Sequence, residues 1–145
     1  MADFGAHPLR LRDDEPVDHP AVTVDSYLDQ TNAAAVRIEP GDDARELLPH
    51  LESLRLIEVN FPAYTDGRGY SAARILREAG YAGELRAVGD VLVDQLAAMR
   101  RCGFDAFEPD KPFDPADAEA ALDRWENVYQ AAADGRPPIW NLRHG

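Results

Sequence analysis

Leu56-Ile57-Glu58-Val59-Asn60-Phe61-Pro62-Ala63-Tyr64-Thr65-Asp66-Gly67-Arg68-Gly69-Tyr70-Ser71 reads as a buried strand running into a long loop. The first six residues are mostly branched or aromatic, which suits a pleated, packed surface. Beyond the loop, Ala72, Ile75, Leu76 and Ala79 fall at helical spacing, and Gly80 suits a left-handed helix stop. Leu85-Arg86-Ala87-Val88 is then a second strand. Strand, helix and strand in this order make a right-handed βαβ crossover with parallel strands.

The pattern extends in both directions. Downstream, Asp90 is expected to cap a helix carrying Leu92, Leu96 and Met99 and ending at Gly103. Phe104-Asp105-Ala106-Phe107 is a third strand, and Asp114-Pro115-Ala116-Asp117 is a helix start. That last helix carries Ala118, Ala121, Leu122, Trp125, Val128, Tyr129 and Ala132 on one stripe, with Ile139 and Trp140 docking back after Arg136-Pro137-Pro138. Upstream, Ala35-Val36-Arg37-Ile38-Glu39 alternates like a strand, and Pro40-Gly41-Asp42-Asp43 turns into a helix with Leu47, Leu48 and Leu51 that Pro49 would break. Residues 1–30 read as an irregular, Pro- and Asp-rich arm with Ala21-Val22-Thr23-Val24 as a short edge strand, and residues 31–145 as a single α/β domain. The expected fold is α/β: a small, mostly parallel sheet of about four strands built from βαβ units, too few to close a barrel. Such a sheet is open or half-barrel-like, with helices packed on it.

With 145 residues and 45% hydrophobic content, the chain fits one packed domain. Its formal charge is -12, from 27 acidic and 15 basic residues, which disfavours nucleic acid and anionic membranes as partners. Lys111 is the only lysine, so the basic groups are almost all arginines, which keep their charge and grip oxyanions through a planar fork. Cys102 is alone, which excludes an internal disulfide and a dithiol redox pair and suits a reducing compartment. No stretch has the length or apolarity of a signal or a membrane span, so the expectation is a cytoplasmic protein. The histidines His7, His19, His50 and His144 have no metal-ligand spacing, and no metal is expected. Neither a Gly-x-Ser-x-Gly elbow nor a phosphate-loop Gly-Lys-Ser/Thr pair is present.

Parallel sheets bind ligands at the carboxyl ends of their strands. The loop after Phe61 lies there, is longer than a mere connection, and carries Gly67 and Gly69 on either side of Arg68. Glycines let backbone N–H groups approach a ligand, and the loop feeds a helix start, where an anion is favoured. Arg68 could clamp it, Tyr70 and Ser71 could donate hydroxyls, and Arg74 shares the face of Ser71. The alternative is a structural loop in which Asp66 bonds Arg68. Gly67-Arg68-Gly69-Tyr70-Ser71-Ala72 also matches G-x-G-x-x-A, with Asp90 placed as a ribose-binding acid, although several residues separate the strand from the first glycine. Arg86, in an apolar strand, requires a carboxylate or an anion, with Asp66, Asp90 and Asp105 as candidate partners. Asp94 and Gln95 face solvent or a partner. Cys102 falls at the opposite edge of the sheet, away from any such site. The candidate ligand-binding set is therefore Asp66, Gly67, Arg68, Gly69, Tyr70, Ser71, Arg74, Arg86 and Asp90.

The run Val59 to Arg74 resembles the bacterial DUF934 family. So do Gly83-Glu84-Leu85-Arg86-Ala87-Val88-Gly89-Asp90-Val91-Leu92-Val93-Asp94-Gln95-Leu96 and Arg101-Cys102-Gly103-Phe104-Asp105. Members are described as oxidoreductases of sulfite reduction, largely through gene association, and the resemblance carries over no catalytic residue. It implies a pathway, and it agrees with an oxyanion site. Three functions follow as expectations. One is an accessory or ligand-binding protein of sulfate and sulfite reduction that takes a small oxyanion or a phosphate-bearing ligand. Another is a small oxidoreductase that binds a dinucleotide or flavin cofactor. The third is an adaptor docking on sulfite reductase or another sulfur-assimilation enzyme. A homodimer is compatible with each, because a short sheet exposes its edges.

Overall fold

The computed structural model describes residues 3–18, 20–30 and 32–123. Trp125, Val128, Tyr129, Ala132, Ile139 and Trp140 lie outside them. Six strands form one sheet: β1 (Leu9–Arg10), β2 (Val22–Thr23), β3 (Ala35–Ile38), β4 (Leu56–Phe61), β5 (Glu84–Gly89) and β6 (Ala106–Pro109). Their order is β1-β6-β5-β4-β3-β2, with β1 antiparallel to β6 and every other pair parallel. The fold is α/β, as expected, with six strands in place of four. Both outer strands come from residues 1–30: β2 falls within the edge strand expected at Ala21-Val22-Thr23-Val24, and β1 was not expected. Each is two residues long, too short to show a hydrophobic period. β6 starts at Ala106 because the N–H of Phe104 closes the preceding helix on Met99 O at 3.1 Å.

The helices include α1 (Val24–Gln30), α2 (Arg68–Glu78) and α3 (Leu96–Cys102), and residues 115–123 are also helical. Ala44–Ser53 is a 3-10 helix, tighter than the expected α-helix, with Pro49 inside it. Gly80 and Gly103 end α2 and α3 at φ 99° and 113°, the left-handed stops their positions implied. Asp114 caps the last helix, accepting from Ala116 N–H at 2.9 Å. Asp90 caps nothing, contrary to expectation: its Oδ2 accepts the N–H of Tyr64 at 2.9 Å, and the helical turn begins only after Leu92. The long loop after β4 brings Tyr64 across to Asp90 and takes that carboxylate away from the helix start.

From β2 to β6 the strands advance one place at a time in one direction. Right-handed crossovers therefore put the connecting helices on one face. The core lies there: Val36, Ile38, Ile57, Val59, Phe61, Leu85, Ala87 and Phe107 meet Leu47, Ala73, Leu76, Leu96, Met99, Ala118 and Leu122. The alternate residues of the same strands point to the opposite face, and many are charged. Register sets Arg37, Glu58, Arg86, Ala106 and Arg10 in one row across five strands. Arg37 pairs with Glu58 at 2.8 Å, and Arg86 pairs with Glu84 at 2.7 Å, Glu108 at 3.2 Å and Glu58 at 3.6 Å. Ala106, with only a methyl group between Arg10 and Arg86, lets Arg10 reach Glu84 at 2.8 Å. Glu84, Glu58 and Arg86 are only 1%, 6% and 8% exposed, so these are buried charges held by mutual pairing.

The arm is bound by the same chemistry. Arg12 bonds Asp105 at 2.8 Å and Asp14 at 2.8 Å, and Arg55 reaches Glu15 O at 3.1 Å as the chain passes the amino ends of the strands. The Arg12 hydrogen bond holds the Asp14 carboxyl down to about 2, with Arg10 adding to it. Two outcomes follow. Arg86→Met strands buried carboxylates and lowers the unfolding free energy by about 3–5 kcal/mol, read from urea denaturation. Asp14 stabilises above its unfolded value of about 3.9 and loses that contribution as pH falls toward about 2. The urea midpoint of Asp14→Asn therefore falls less steeply over that acid range than that of the parent.

Candidate functional site

A cavity of about 380 Å3 opens at the carboxyl edge, between the turn after β3 and the start of α2. Ile38, Val59 and Asn60 form its floor, Glu39 to Arg45 one wall, and Arg68, Gly69, Ser71, Ala72 and Ile75 the other. Each wall carries the same device. Asp43-Ala44-Arg45 and Asp66-Gly67-Arg68 both stand at a helix start. Asp43 Oδ1 accepts the N–H of Arg45 at 3.0 Å and its Nε at 3.0 Å. Asp66 Oδ1 accepts the N–H of Arg68 at 3.0 Å and its Nε at 3.1 Å, and Oδ2 accepts Nη2 at 2.8 Å. The arginine hydrogen bonds lower both aspartates, and Asp66 raises Arg68. Arg45 and Arg68 are about 70% exposed, so solvent screens these pairs. Deeper in, Asn60 Nδ2 donates to Glu39 Oε1 at 2.8 Å, and Glu39 N–H donates to Asp42 Oδ2 at 2.8 Å.

Of the expected ligand residues, Arg68, Gly69 and Ser71 line the cavity, and Asp66 borders it through Arg68. The others do not. Gly67 adopts φ −84° with open space around it, and neither loop glycine has positive φ. Gly69 answers to packing: a Cβ there would stand 2.5 Å from Phe61 Cζ and 3.0 Å from Val59 Cγ1. Tyr70 lies edge-on to Phe61 at 5.7 Å, and burial pushes its phenol up. Arg74 is exposed and absent from the lining. Arg86 lies on the opposite face, saturated by Glu84, Glu108 and Glu58 and by none of the three aspartates expected for it. Asp90 holds Tyr64. Glu39, Asp42, Asp43, Arg45 and Asn60 were not among the expected site residues, although Asp42 and Asp43 stood in the expected turn into a helix and the repeated Asp-x-Arg was legible in the sequence.

Cys102 closes α3, half-buried, and burial pushes its thiol up, so it stays protonated and is no activated nucleophile. Neighbours in the parallel sheet are also neighbours in sequence, so these strands contain no order reversal of the kind that forms a dinucleotide crevice. A second cavity of about 250 Å3, on the charged face, is bordered by His7, Arg37, Asn60, Glu108 and Asp110. No described helix is long and apolar enough to cross a membrane.

A family model matches residues 35–140. The chain belongs to DUF934, described as bacterial proteins of unknown function. Comparisons with curated proteins and with solved structures give no match. The DUF934 region spans β3 to β6 and so contains both walls of the larger cavity. The outer strands and the Arg10 and Arg12 ties precede it.

The two glycines of this DUF934 loop differ in their packing. Gly69→Ala forces α2 off β4 and costs about 1–3 kcal/mol of stability in chemical denaturation. Adding Phe61→Leu, which shortens the obstructing ring, recovers part of it. Gly67→Ala, at an αR position with open space, stays within about 0.5 kcal/mol of the parent.

Proposed function

We propose that this DUF934 protein is an accessory, ligand-binding protein of assimilatory sulfate and sulfite reduction, and that its cleft takes an oxyanion or phosphate-bearing ligand. The observation that carries the reading is the pair of Asp-x-Arg clamps lining one cavity. Guanidinium forks match sulfur and phosphorus oxyanions, and two of them across a cleft can grip one anion. Each aspartate has two duties. It accepts the backbone N–H of its own arginine at the helix start and occupies the guanidinium until a ligand oxygen replaces it. The exchange swaps one anionic partner for another, so it depends on salt. The resemblance to proteins of sulfite reduction supplies the pathway. The protonated Cys102 thiol favours binding over redox chemistry carried by the chain itself.

The test is thermal unfolding with millimolar sulfite, sulfate, phosphate or adenosine phosphosulfate. At tenfold excess over Kd a ligand adds about 1.4 kcal/mol, a rise of about 4 °C for a chain of this size. Arg45→Ala and Arg68→Ala each diminish the rise. Asp66→Asn, which frees Arg68 from its ionic partner, enlarges it. A well-folded protein that shifts with none of these anions overturns the reading.

One observation favours an adaptor role alongside. Tyr64 and Leu92 are large apolar residues exposed at 49% and 39%. Gln95 holds them together, donating to Tyr64 O at 2.8 Å and accepting Leu92 N–H at 2.9 Å. An anchored aromatic on an acidic protein suits a basic partner surface. Purified sulfite reductase mixed with this protein is expected to give a salt-sensitive complex on gel filtration, lost in Tyr64→Ala/Leu92→Ala while the anion-induced thermal shift persists.

A further inference from the structure

The larger cleft has room for more than a bare inorganic anion. Its 380 Å3 is the volume of about a dozen waters, whereas a sulfate displaces only about two. The lining is also divided by chemistry. Ile75, partly exposed over the buried Ile38, Val59 and Ala72, gives the apolar side of the lining, and Arg45 and Arg68 supply the charge. Glu39 and Asp42 line the same cavity. Each uses one carboxylate oxygen, for Asn60 and for the Glu39 N–H, and its other oxygen has no donor among the described residues. Such acceptors suit hydroxyl or amino groups and repel a second anion. We infer that the cleft takes an organic phosphate or sulfate ester of nucleotide size. Its apolar ring lies on the aliphatic side chains, its hydroxyls meet Glu39 and Asp42, and its anionic head meets the two arginines. This rests on the cleft being the binding site proposed above and names its ligand class.

Titration calorimetry with adenosine 5′-monophosphate and with inorganic phosphate, at one pH and ionic strength, tests it. The nucleotide is expected to bind at least tenfold more tightly, and 2′,3′-dideoxyadenosine 5′-monophosphate at least threefold more weakly than its parent. Ser71 is exposed on the cavity wall, so Ser71→Trp fills the space without burying a new group, and it is expected to abolish nucleotide binding. Arg45→Glu, on the opposite wall and also exposed, is the second variant and is expected to weaken the nucleotide more than tenfold. Equal affinity for phosphate and nucleotide overturns the inference and leaves the oxyanion function standing. Nucleotide binding unchanged in both variants also overturns it, because the site then lies elsewhere. Failure of every anion, inorganic and organic, overturns both.

Discussion

Arg86 holds its guanidinium among Glu84, Glu58 and Glu108 on the face of the sheet opposite the described helices. The direction of winding makes this cluster necessary. Strands added one place at a time, each by a right-handed crossover, send their helices to a single side. A second apolar face would need a second set of covering elements. This chain puts alternating charge there instead, and because Arg86, Glu58 and Glu84 are buried, each must find its opposite within the sheet, on its own strand or on another. The network thus specifies strand register as well as satisfying charge: a slip of one residue would turn the row into the core. Through Arg10 and Glu84 it also joins the amino-terminal arm to the sheet, so the outermost strand depends on a carboxylate two strands away.

The same winding builds the cleft. Because β3 and β4 are adjacent and parallel, the segments leaving them emerge side by side at the carboxyl edge. Each enters a helical segment behind an Asp-x-Arg, and the two starts line one cavity. Gly69 lets α2 come down onto Phe61 and Val59, which sets the width of the cleft from below. One of the two loop glycines read as ligand features is therefore a packing device, and the polar and charged groups of the cleft are side chains on its two walls. Asp90 and Gln95 extend the ordering to the neighbouring loop by holding Tyr64 at both its N–H and its carbonyl.

The buried and the exposed charges differ in kind. In the row around Arg86 the partners are shielded from water, and removing one leaves another stranded. At the cleft the arginines of the aspartate–arginine pairs are about 70% exposed, so solvent screens them. Arginine dominates the basic residues in both settings, because its fork bridges several carboxylates in one place and can receive an oxyanion in the other.

Local signals were enough for the fold class and the central strands. The runs of β4 and β5, the helical stripe after the loop, the stops at Gly80 and Gly103 and the cap at Asp114 depend on residues close in sequence, and they were legible for that reason. Arg86 was recognisable as a charge in need of a partner. Its partners were not, since Glu58 and Glu108 are 28 and 22 residues away and meet it only through strand register. Of the two-residue outer strands, β2 was legible within Ala21-Val22-Thr23-Val24, whereas β1 carries no period of its own and pairs on the edge that β6 offers. Half of the cleft was visible in the loop after β4. The other half, Asp43 and Arg45, became part of it only when parallel pairing of β3 and β4 brought two distant helix starts to one edge. Sequence alone determined which segments were strands and helices and where an arginine stood beside glycines. Tertiary structure decided which charges are buried, which stand exposed at the cleft, and that Gly69 packs, because those properties depend on neighbours the chain acquires only by folding.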